Sequence, residues 1–237
     1  MARPSIGTVV IAFAALSGAS AQAATQNAPK KPWASISEVP AESARILKAP
    51  QFEPAWRDQV RTLLTVWSAN AVTPSCPASE IEPSVARARI AGVISTAQFI
   101  QVRIETEICS EPRAVNFMII AGPGGALGLR PLTPGHTAAD PVLEQDTLPH
   151  VKSVVTSMTQ AGRPWAGRLC TANPGAQAKI IDVQPVDYAE DKEKKQSTWR
   201  ERWIYRACGA DMPVMVAFTQ RDGIPGTDIA AMDAPGG

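Results

Sequence analysis

STWRERWIYRACGADMPVMVAFTQRDG, residues 197–223, alternates large apolar and polar side chains on both sides of Cys208. Alternation with a period of two is typical of a β-strand with one buried face, because successive side chains point to opposite faces. The residues before Cys208 therefore predict one strand, and those after it predict a second. Together they predict a β-hairpin, one face of which carries Trp199, Trp203 and Tyr205.

A second hairpin with the same pattern occurs earlier, in QFIQVRIETEIC, which ends at Cys109. When Cys109 is aligned with Cys208, one face of the earlier strand aligns with the aromatic face of the later strand. The polar residues of the earlier strand then align with the arginines of the later one. Because strand faces alternate, this agreement of parity predicts that both hairpins are buried in the same way. The aligned pairs are Ile100 with Trp199, Ile104 with Trp203, Thr106 with Tyr205, Gln101 with Arg200, Arg103 with Arg202, and Glu107 with Arg206.

An amphipathic helix is predicted before each hairpin. Residues 54–69, PAWRDQVRTLLTVWSA, and residues 149–162, PHVKSVVTSMTQAG, carry apolar side chains at the same helical intervals. Each predicted helix is followed by a further cysteine and by a further predicted strand, around 85–90 in one case and 179–183 in the other. One constant offset of 91 aligns Val60, Leu63, Leu64 and Trp67 with Val151, Val154, Val155 and Met158.

These coincidences predict an α+β protein made of two tandem, diverged repeats. Each repeat is an N-terminal helix packed on a roughly three-stranded antiparallel sheet, with one internal disulfide. Repeat 1 covers 51–130 and repeat 2 covers 146–230, with a Pro/Gly-rich connector at 131–145. Residues 24–50 are predicted to be a flexible segment, and 231–237 a loose tail.

The N-terminal residues predict export. Within residues 1–23, Arg3 precedes a short apolar run, and small residues fit the rule for signal-peptide cleavage after Ala23, with Ala21 as the other option. The apolar run is shorter than the roughly 20 residues that a permanent membrane span needs. The sequence therefore predicts a soluble periplasmic or secreted protein.

All four cysteines follow the predicted signal peptide, and an even number in an oxidising compartment predicts two disulfides. Four cysteines allow three pairings, and spacing alone does not choose among them. The repeats favour Cys76–Cys109 and Cys170–Cys208. Each bond would close a loop of some 33 to 38 residues, and a loop of this length contributes about 3–4 kcal/mol.

Charge gives no indication of a polyanionic partner. Without residues 1–23 the chain has 214 residues, with 22 Lys+Arg against 22 Asp+Glu. A formally neutral protein has no net attraction to nucleic acid or to an anionic membrane. The predicted partner is therefore a protein or another envelope component, and the mature chain contains no predicted membrane span. The oligomeric state is not determined by the sequence.

The two faces of the later hairpin are candidate binding surfaces. The aromatic face could hold a sugar or peptide, and the arginine face could hold an anionic polymer. The favoured interpretation is structural in both cases, because the aromatic positions align with apolar ones and a solvent-facing strand is usually charged. Acidic neighbours such as Glu201 would also dilute the positive potential. The candidate binding residues are Trp199, Trp203, Tyr205, Arg200, Arg202 and Arg206.

The connector offers a candidate acid–base or metal site. On a continuous helix His136, Asp140 and Glu144 would share one face, and His150 follows closely. Pro141 is predicted to interrupt that helix, and a Pro-Gly pair before it favours a loop. The sequence therefore predicts no metal, no cofactor and no catalytic residue.

The C-terminal part resembles a pattern of small uncharacterised exported proteins of proteobacteria. In that pattern a W-x-E-x-W strand leads to Cys-Gly, then to P-V-x-V-x-F, an Asp-Gly turn and Gly-Thr-Asp. The resemblance covers about 30 residues and implies an envelope protein with no catalytic residues to carry over; the first repeat lacks both tryptophans. The matching residues are Trp199, Glu201, Trp203, Cys208-Gly209, Pro213-Val214, Val216, Phe218, Asp222-Gly223 and Gly226-Thr227-Asp228.

Two function hypotheses follow from these observations. The favoured one is an exported, disulfide-stabilised envelope protein that acts as a non-enzymatic binding or structural module. It rests on the duplication, on the neutral charge and on the lack of a G-x-S-x-G or similar catalytic motif. The alternative is a periplasmic hydrolase acting on peptidoglycan or peptides, with a site between the repeats that uses the connector histidines and acids.

Overall fold

The structure, a computed structural model, has an α+β fold, as the sequence predicts. Within the described residues the chain forms four α-helices and two antiparallel four-stranded sheets. None of these helices is long and apolar enough to cross a membrane. The predicted signal peptide and Cys76, Cys170 and Cys208 lie outside the described residues. These are 33–70, 77–96, 99–122, 124, 126–160, 178–207, 210–221 and 230–233.

The first unit, residues 41–131, contains three helices and a four-stranded meander in the order β1-β2-β3-β4. The strand predicted around 85–90 is wrong in its first half, where Ser84 and Val85 are buried on one face of a helix. The strand begins only at Arg89. The elements are α1 Ala41–Leu47, α2 Phe52–Asn70, α3 Ile81–Arg87, β1 Arg89–Ser95, β2 Ile100–Ile108, β3 Glu111–Ala121 and β4 Leu127–Pro131.

The second unit, residues 141–233, repeats the arrangement of one long helix and a meander in the order β5-β6-β7-β8. Each sheet has a fourth strand that the sequence did not predict. The strand predicted around 179–183 extends into the charged segment that follows it, because residues up to Asp191 pair with β6. The elements are α4 Pro141–Gln160, β5 Lys179–Asp191, β6 Gln196–Ala207, β7 Ala210–Arg221 and β8 Ala230–Asp233.

Each unit has its own apolar core between its long helix and one face of its sheet. In the first, Val60 and Leu64 of α2 are buried with alternate residues of β2 and β3. In the second, Val151 and Val155 of α4 are buried with the aromatic face of β6. Full burial of a Val or Leu side chain contributes roughly 1.5–3 kcal/mol, so these helical faces anchor the helices to the sheets.

The two central hairpins have the same register. Ile100 pairs with Ile119 and Trp199 pairs with Phe218, so adding 99 to each number of the first pair gives the second. Cys109 lies in the two-residue turn of the first hairpin, where it and the next residue have left-handed φ values of 51° and 62°, as type I′ turns require. Cys109 is disulfide-bonded. Its pairing stays a prediction, because the other three cysteines lie outside the described residues.

The segment 33–50, predicted to be flexible, is packed against the first sheet. Ala34 exchanges two backbone hydrogen bonds with Val93 of β1, at 3.0 and 3.1 Å. The indole ring of Trp33 lies 4.0 Å from the guanidinium carbon of Arg103. An isolated bridge to β1 and a cation–π contact therefore hold residues that composition alone assigns to a flexible segment.

The helix α4 begins at Pro141, eight residues before the helix predicted from the sequence. A proline is tolerated in the first turn of a helix, because its missing N–H would have no partner there. The carboxylate of Asp140 caps this turn by accepting two backbone hydrogen bonds, at 2.8 and 3.0 Å. The predicted interruption at Pro141 is confirmed, because no helix extends back over residues 136–140, whereas the last five residues of the predicted connector belong to α4.

Candidate functional site

Residues 132–140, the linking segment, lie between the two units and hydrogen-bond to both. The backbone N–H of Gly135 donates to the Ala114 carbonyl of β3 at 2.8 Å. The next N–H, of His136, donates to the Val183 carbonyl of β5 at 2.6 Å. One segment therefore ties the two sheets together through its own backbone.

The close contact between the linking segment and β5 depends on Gly135. This residue has a φ of 96°, in the left-handed region that favours glycine. A Cβ atom at this position would lie 2.2 Å from the backbone nitrogen of Val183 and 2.4 Å from its oxygen. The two backbones can approach this closely only because the side chain is a hydrogen atom.

On the side of the first unit, a buried Arg–Asn pair holds the linking segment. The guanidinium of Arg103 donates to the Asn116 side-chain oxygen at 3.1 Å and to the Thr137 carbonyl at 2.6 Å. The Asn116 amide donates to the carbonyls of Thr133 and Gly135, at 2.7 and 2.8 Å. Burial lowers the pKa of Arg103 to about 10. The polar face of β2 is therefore buried beneath the linking segment.

On the side of the second unit, the carboxylate of Glu201 holds the linking segment. It accepts hydrogen bonds from the Ala138 N–H at 2.6 Å, from the Thr137 hydroxyl, and from the indole N–H groups of Trp199 and Trp203 at 3.2 and 2.8 Å. Its side chain is fully buried, and this burial raises its pKa while the donors act in the opposite direction. Four donors converge on one carboxylate, as a buried charge requires.

The sequence analysis treated Glu201 only as a charge that dilutes the arginine face, and this interpretation is wrong. Glu201 stands two residues from Trp199 and two from Trp203, so strand parity places it on their buried face. In the first hairpin the equivalent position is Val102, which packs in the core. The signal was present in the sequence, but an acidic residue is rarely buried unless it has partners.

The six candidate binding residues of β6 occupy two different environments. The aromatic face is buried, and Trp199 stacks on Phe218 with ring centroids 4.9 Å apart. This confirms the structural interpretation of Trp199, Trp203 and Tyr205. On the other face, Arg200 pairs with Asp187 and Arg206 pairs with Asp211, while Arg202 is exposed. Two of the three arginines are therefore neutralised by neighbours on the same sheet.

The connector residues considered for catalysis or metal binding do not form one site. His136 lies beside Glu105, with 3.5 Å between the imidazole Nε2 and the nearer carboxylate oxygen. Asp140 caps α4, Glu144 is buried, and His150 is exposed on α4. No group of three or more His, Cys, Asp or Glu that could hold a metal occurs among the described residues.

Glu144 fixes the start of the linking segment from within α4. Its Oε1 accepts the backbone N–H of Thr133 at 2.6 Å, while its Oε2 is buried and has no hydrogen-bond partner in the described part of the chain. The residue is only 3% exposed, and burial raises its pKa to about 7. A carboxyl group in this position is easier to bury neutral than ionised.

This burial makes the stability of the protein depend on pH. The folded-state pKa of Glu144, about 7, lies above the ordinary value of 4.5. Between these values the folded state binds more protons than the unfolded state, so the free energy of unfolding falls as pH rises. One pKa unit corresponds to about 1.36 kcal/mol, so we expect Glu144 to account for a loss of roughly 3 kcal/mol between pH 4 and pH 8.

Urea unfolding of the wild type and of Glu144→Gln across this pH range measures the effect. The variant keeps the oxygen that accepts the Thr133 N–H but cannot ionise, so it should be the more stable protein at pH 8 and should lose this advantage at pH 4. Glu42→Gln removes an exposed carboxylate and serves as the control. A constant difference between wild type and Glu144→Gln at every pH would contradict the assignment.

A groove opens where α2, β3, the linking segment and β5 meet, so both units form its wall. Its volume is about 230 Å³. Among the lining residues the charged ones are Arg113 and Lys179, and none is acidic. The wall is otherwise apolar, with contributions from Leu63, Val66, Trp67, Leu132, Pro134 and Ile180.

Arg113 lines the groove, and one of its N–H groups has no hydrogen-bond acceptor among the described residues. Its guanidinium carbon lies 4.0 Å from the ring centroid of Trp67, and one of its terminal nitrogens pairs with Glu111. The Nε–H of Arg113 and the indole N–H of Trp67 are buried and have no acceptor within the described residues. Burial also lowers the pKa of Arg113.

No protein-family model, curated protein or solved structure matches this chain. The resemblance of the C-terminal residues to small exported proteobacterial proteins therefore stays a prediction. The function has to be inferred from the geometry of the groove and of the linking segment.

Proposed function

We propose that the protein is an exported, disulfide-stabilised envelope protein that acts as a non-enzymatic binding module, with the groove as its ligand site. The observation that carries this proposal is the composition of the groove wall. Two cations and no acid stand among its lining residues, in a largely apolar surface built by both units. Concave, mostly apolar sites with a few convergent polar groups are typical of ligand-binding pockets.

The strongly perturbed carboxyl groups of the protein have a structural explanation. Raised carboxyl pKa values often mark active sites, because catalytic acids are tuned in this way. Here Glu144 and Glu201 are both buried and both accept hydrogen bonds from the linking segment. They hold the linking segment against the second unit, which supports a binding module over an enzyme.

The alternative, a hydrolase of peptidoglycan or peptides with a site between the repeats, gains no support from the geometry. It depended on the connector histidines and acids acting together. His136 lies beside Glu105, whereas Asp140 and Glu144 serve the local structure of α4 and the linking segment. Each of these residues therefore has a separate local role.

The proposal also includes the duplication of the two units and the pairing of the cysteines. The identical register of the two central hairpins supports an origin of the units as diverged copies. The disulfide at Cys109 supports a periplasmic or secreted location, because such bonds persist in oxidising compartments. We infer the pairings Cys76–Cys109 and Cys170–Cys208, one within each copy.

Site-specific photo-crosslinking in the living cell tests whether the groove holds a ligand. A photoreactive benzoyl-phenylalanine replaces Val66, which lines the groove and is 47% exposed. The matched control carries the same group at Ile120, which is 45% exposed and does not line the groove. We expect a light-dependent covalent adduct at position 66 and none at position 120, detected by mass spectrometry of the intact protein. Equal labelling at both positions, or no adduct at 66, would rule out the groove as the ligand site.

A further inference from the structure

We propose that the groove binds a single-chain aliphatic carboxylate, with its chain among the apolar side chains and its carboxylate beside Arg113. This inference rests on the proposed binding function and specifies the ligand class for the same site. It follows from the charge of the wall, from the unused donors and from the volume of the groove.

The charge of the wall selects an anionic ligand. Arg113 and Lys179 are cationic, and no acidic side chain lines the groove. Glu111 and Asp182 lie outside its lining but near enough to act on the charge of Arg113. The Arg113 side chain is 19% exposed, so water screens its charge less than it would at the surface. Glu111 pairs with one terminal nitrogen of this guanidinium, and the buried Nε–H has no acceptor in the described part of the chain. A carboxylate beside Arg113 would add both a negative charge and acceptor oxygens.

The hydrogen-bonding geometry favours a carboxylate over a neutral alcohol. A guanidinium presents its N–H groups as a planar fork, which matches the two oxygens of a carboxylate. The neighbouring indole N–H of Trp67 is a further donor for which the described residues offer no acceptor. A carboxylate can accept hydrogen bonds from two N–H groups at once through its two oxygens.

The apolar wall and the volume select a single aliphatic chain. A water molecule occupies about 30 Å³ in the liquid, so a groove of about 230 Å³ encloses roughly eight of the ten non-hydrogen atoms of an eight-carbon carboxylate. Leu63, Val66 and Leu132 offer this chain hydrocarbon and no hydrogen-bonding groups. Each buried methylene raises affinity about fourfold. A sugar would leave its hydroxyl groups without partners against this wall.

Titration of the full-length exported protein, purified in its oxidised form, tests the proposal with octanoate as the probe. Binding is followed by NMR through the indole N–H resonance of Trp67, which is identified by its loss in Trp67→Phe. We expect saturable binding that moves this resonance. Octylammonium reverses the charge of the head group and butyrate removes half the chain, so both should bind at least about tenfold more weakly.

Two variants locate the interaction. Arg113→Gln should weaken octanoate binding about tenfold or more, because a hydrogen bond to a charged group is lost. Val66→Glu should weaken it similarly by adding a negative charge at an exposed position, where the fold tolerates substitution. The control is Arg202→Gln, which removes the same charge from the exposed face of β6 and should leave the affinity unchanged.

The proposal is overturned if octanoate does not bind saturably, if octylammonium binds as tightly, or if Arg202→Gln weakens binding as much as Arg113→Gln. Such a result leaves the proposed function intact when the photo-adduct at position 66 still forms, because the groove then holds a ligand of another class. Loss of the adduct together with loss of octanoate binding would remove both.

Discussion

Gly135→Ala is expected to lower the free energy of unfolding by about 3 kcal/mol or more. The left-handed φ of 96° alone costs a non-glycine residue about 1–3 kcal/mol. The added Cβ would also overlap backbone atoms of Val183, the nearest at 2.2 Å. Backbone atoms cannot rotate away as a flexible side chain can, so the linking segment must separate from β5.

Urea unfolding followed by circular dichroism measures this loss, with Gly124→Ala as the matched control. Gly124 also has a left-handed φ, of 71°, but an added Cβ would meet nothing within 4 Å. Its substitution should therefore cost only the conformational strain, about 1–2 kcal/mol. Equal losses for the two variants would mean that the contact between Gly135 and β5 does not hold the units together.

Glu201→Gln is expected to destabilise the protein by about 3 kcal/mol, although it changes only one side-chain oxygen to an amide nitrogen. The carboxylate accepts from both tryptophan indoles, from the Thr137 hydroxyl and from the Ala138 N–H. An amide nitrogen cannot accept, so at least one buried donor loses its partner, and a lost bond to a buried charge costs about 1.5–3 kcal/mol. The control Glu193→Gln, in the exposed turn between β5 and β6, should change stability by less than about 0.5 kcal/mol.

Glu201→Val measures the contribution of the hydrogen bonds to stability, because valine preserves much of the packing. Valine stands at the equivalent position of the first hairpin, so its size suits this sheet. In the second unit it would leave all the donors without an acceptor, and we expect a loss larger than that of Glu201→Gln. Thermal and urea unfolding of the two variants give this order. A Glu201→Val protein as stable as the wild type would show that the carboxylate contributes nothing to holding the linking segment.

The spacing of apolar residues predicted which segments form the central strands and the long helix of the first unit. The alternation around Trp203 placed a strand with a buried aromatic face, and the apolar spacing around Leu64 placed the helix that covers the first sheet. The matched hairpin sequences predicted a common register, and β2 pairs with β3 in the same register as β6 pairs with β7. These features follow from which side chains share a face, and a face is determined by neighbours a few residues away.

The predictions failed where the secondary structure of a segment depends on contacts with residues distant in the sequence. The sequence predicts a strand around residues 85–90, but its first half belongs to the helix α3, which buries Ser84 and Val85. Trp33 follows a Pro-rich stretch that resembles a flexible segment, yet its contact with Arg103 joins residues distant in the sequence. Only packing against the rest of the chain distinguishes these outcomes.

The sequence alone determined that this protein is α+β, that its two halves share a pattern, and which face of each central hairpin packs in the apolar core of its unit. The tertiary structure alone decided that the linking segment lies between the sheets, that Glu201 receives its donors there, and that the groove forms. The physical reason is distance along the chain. Residues 137 and 138 reach Glu201 across more than 60 positions, and such contacts depend on how the units pack rather than on any local period.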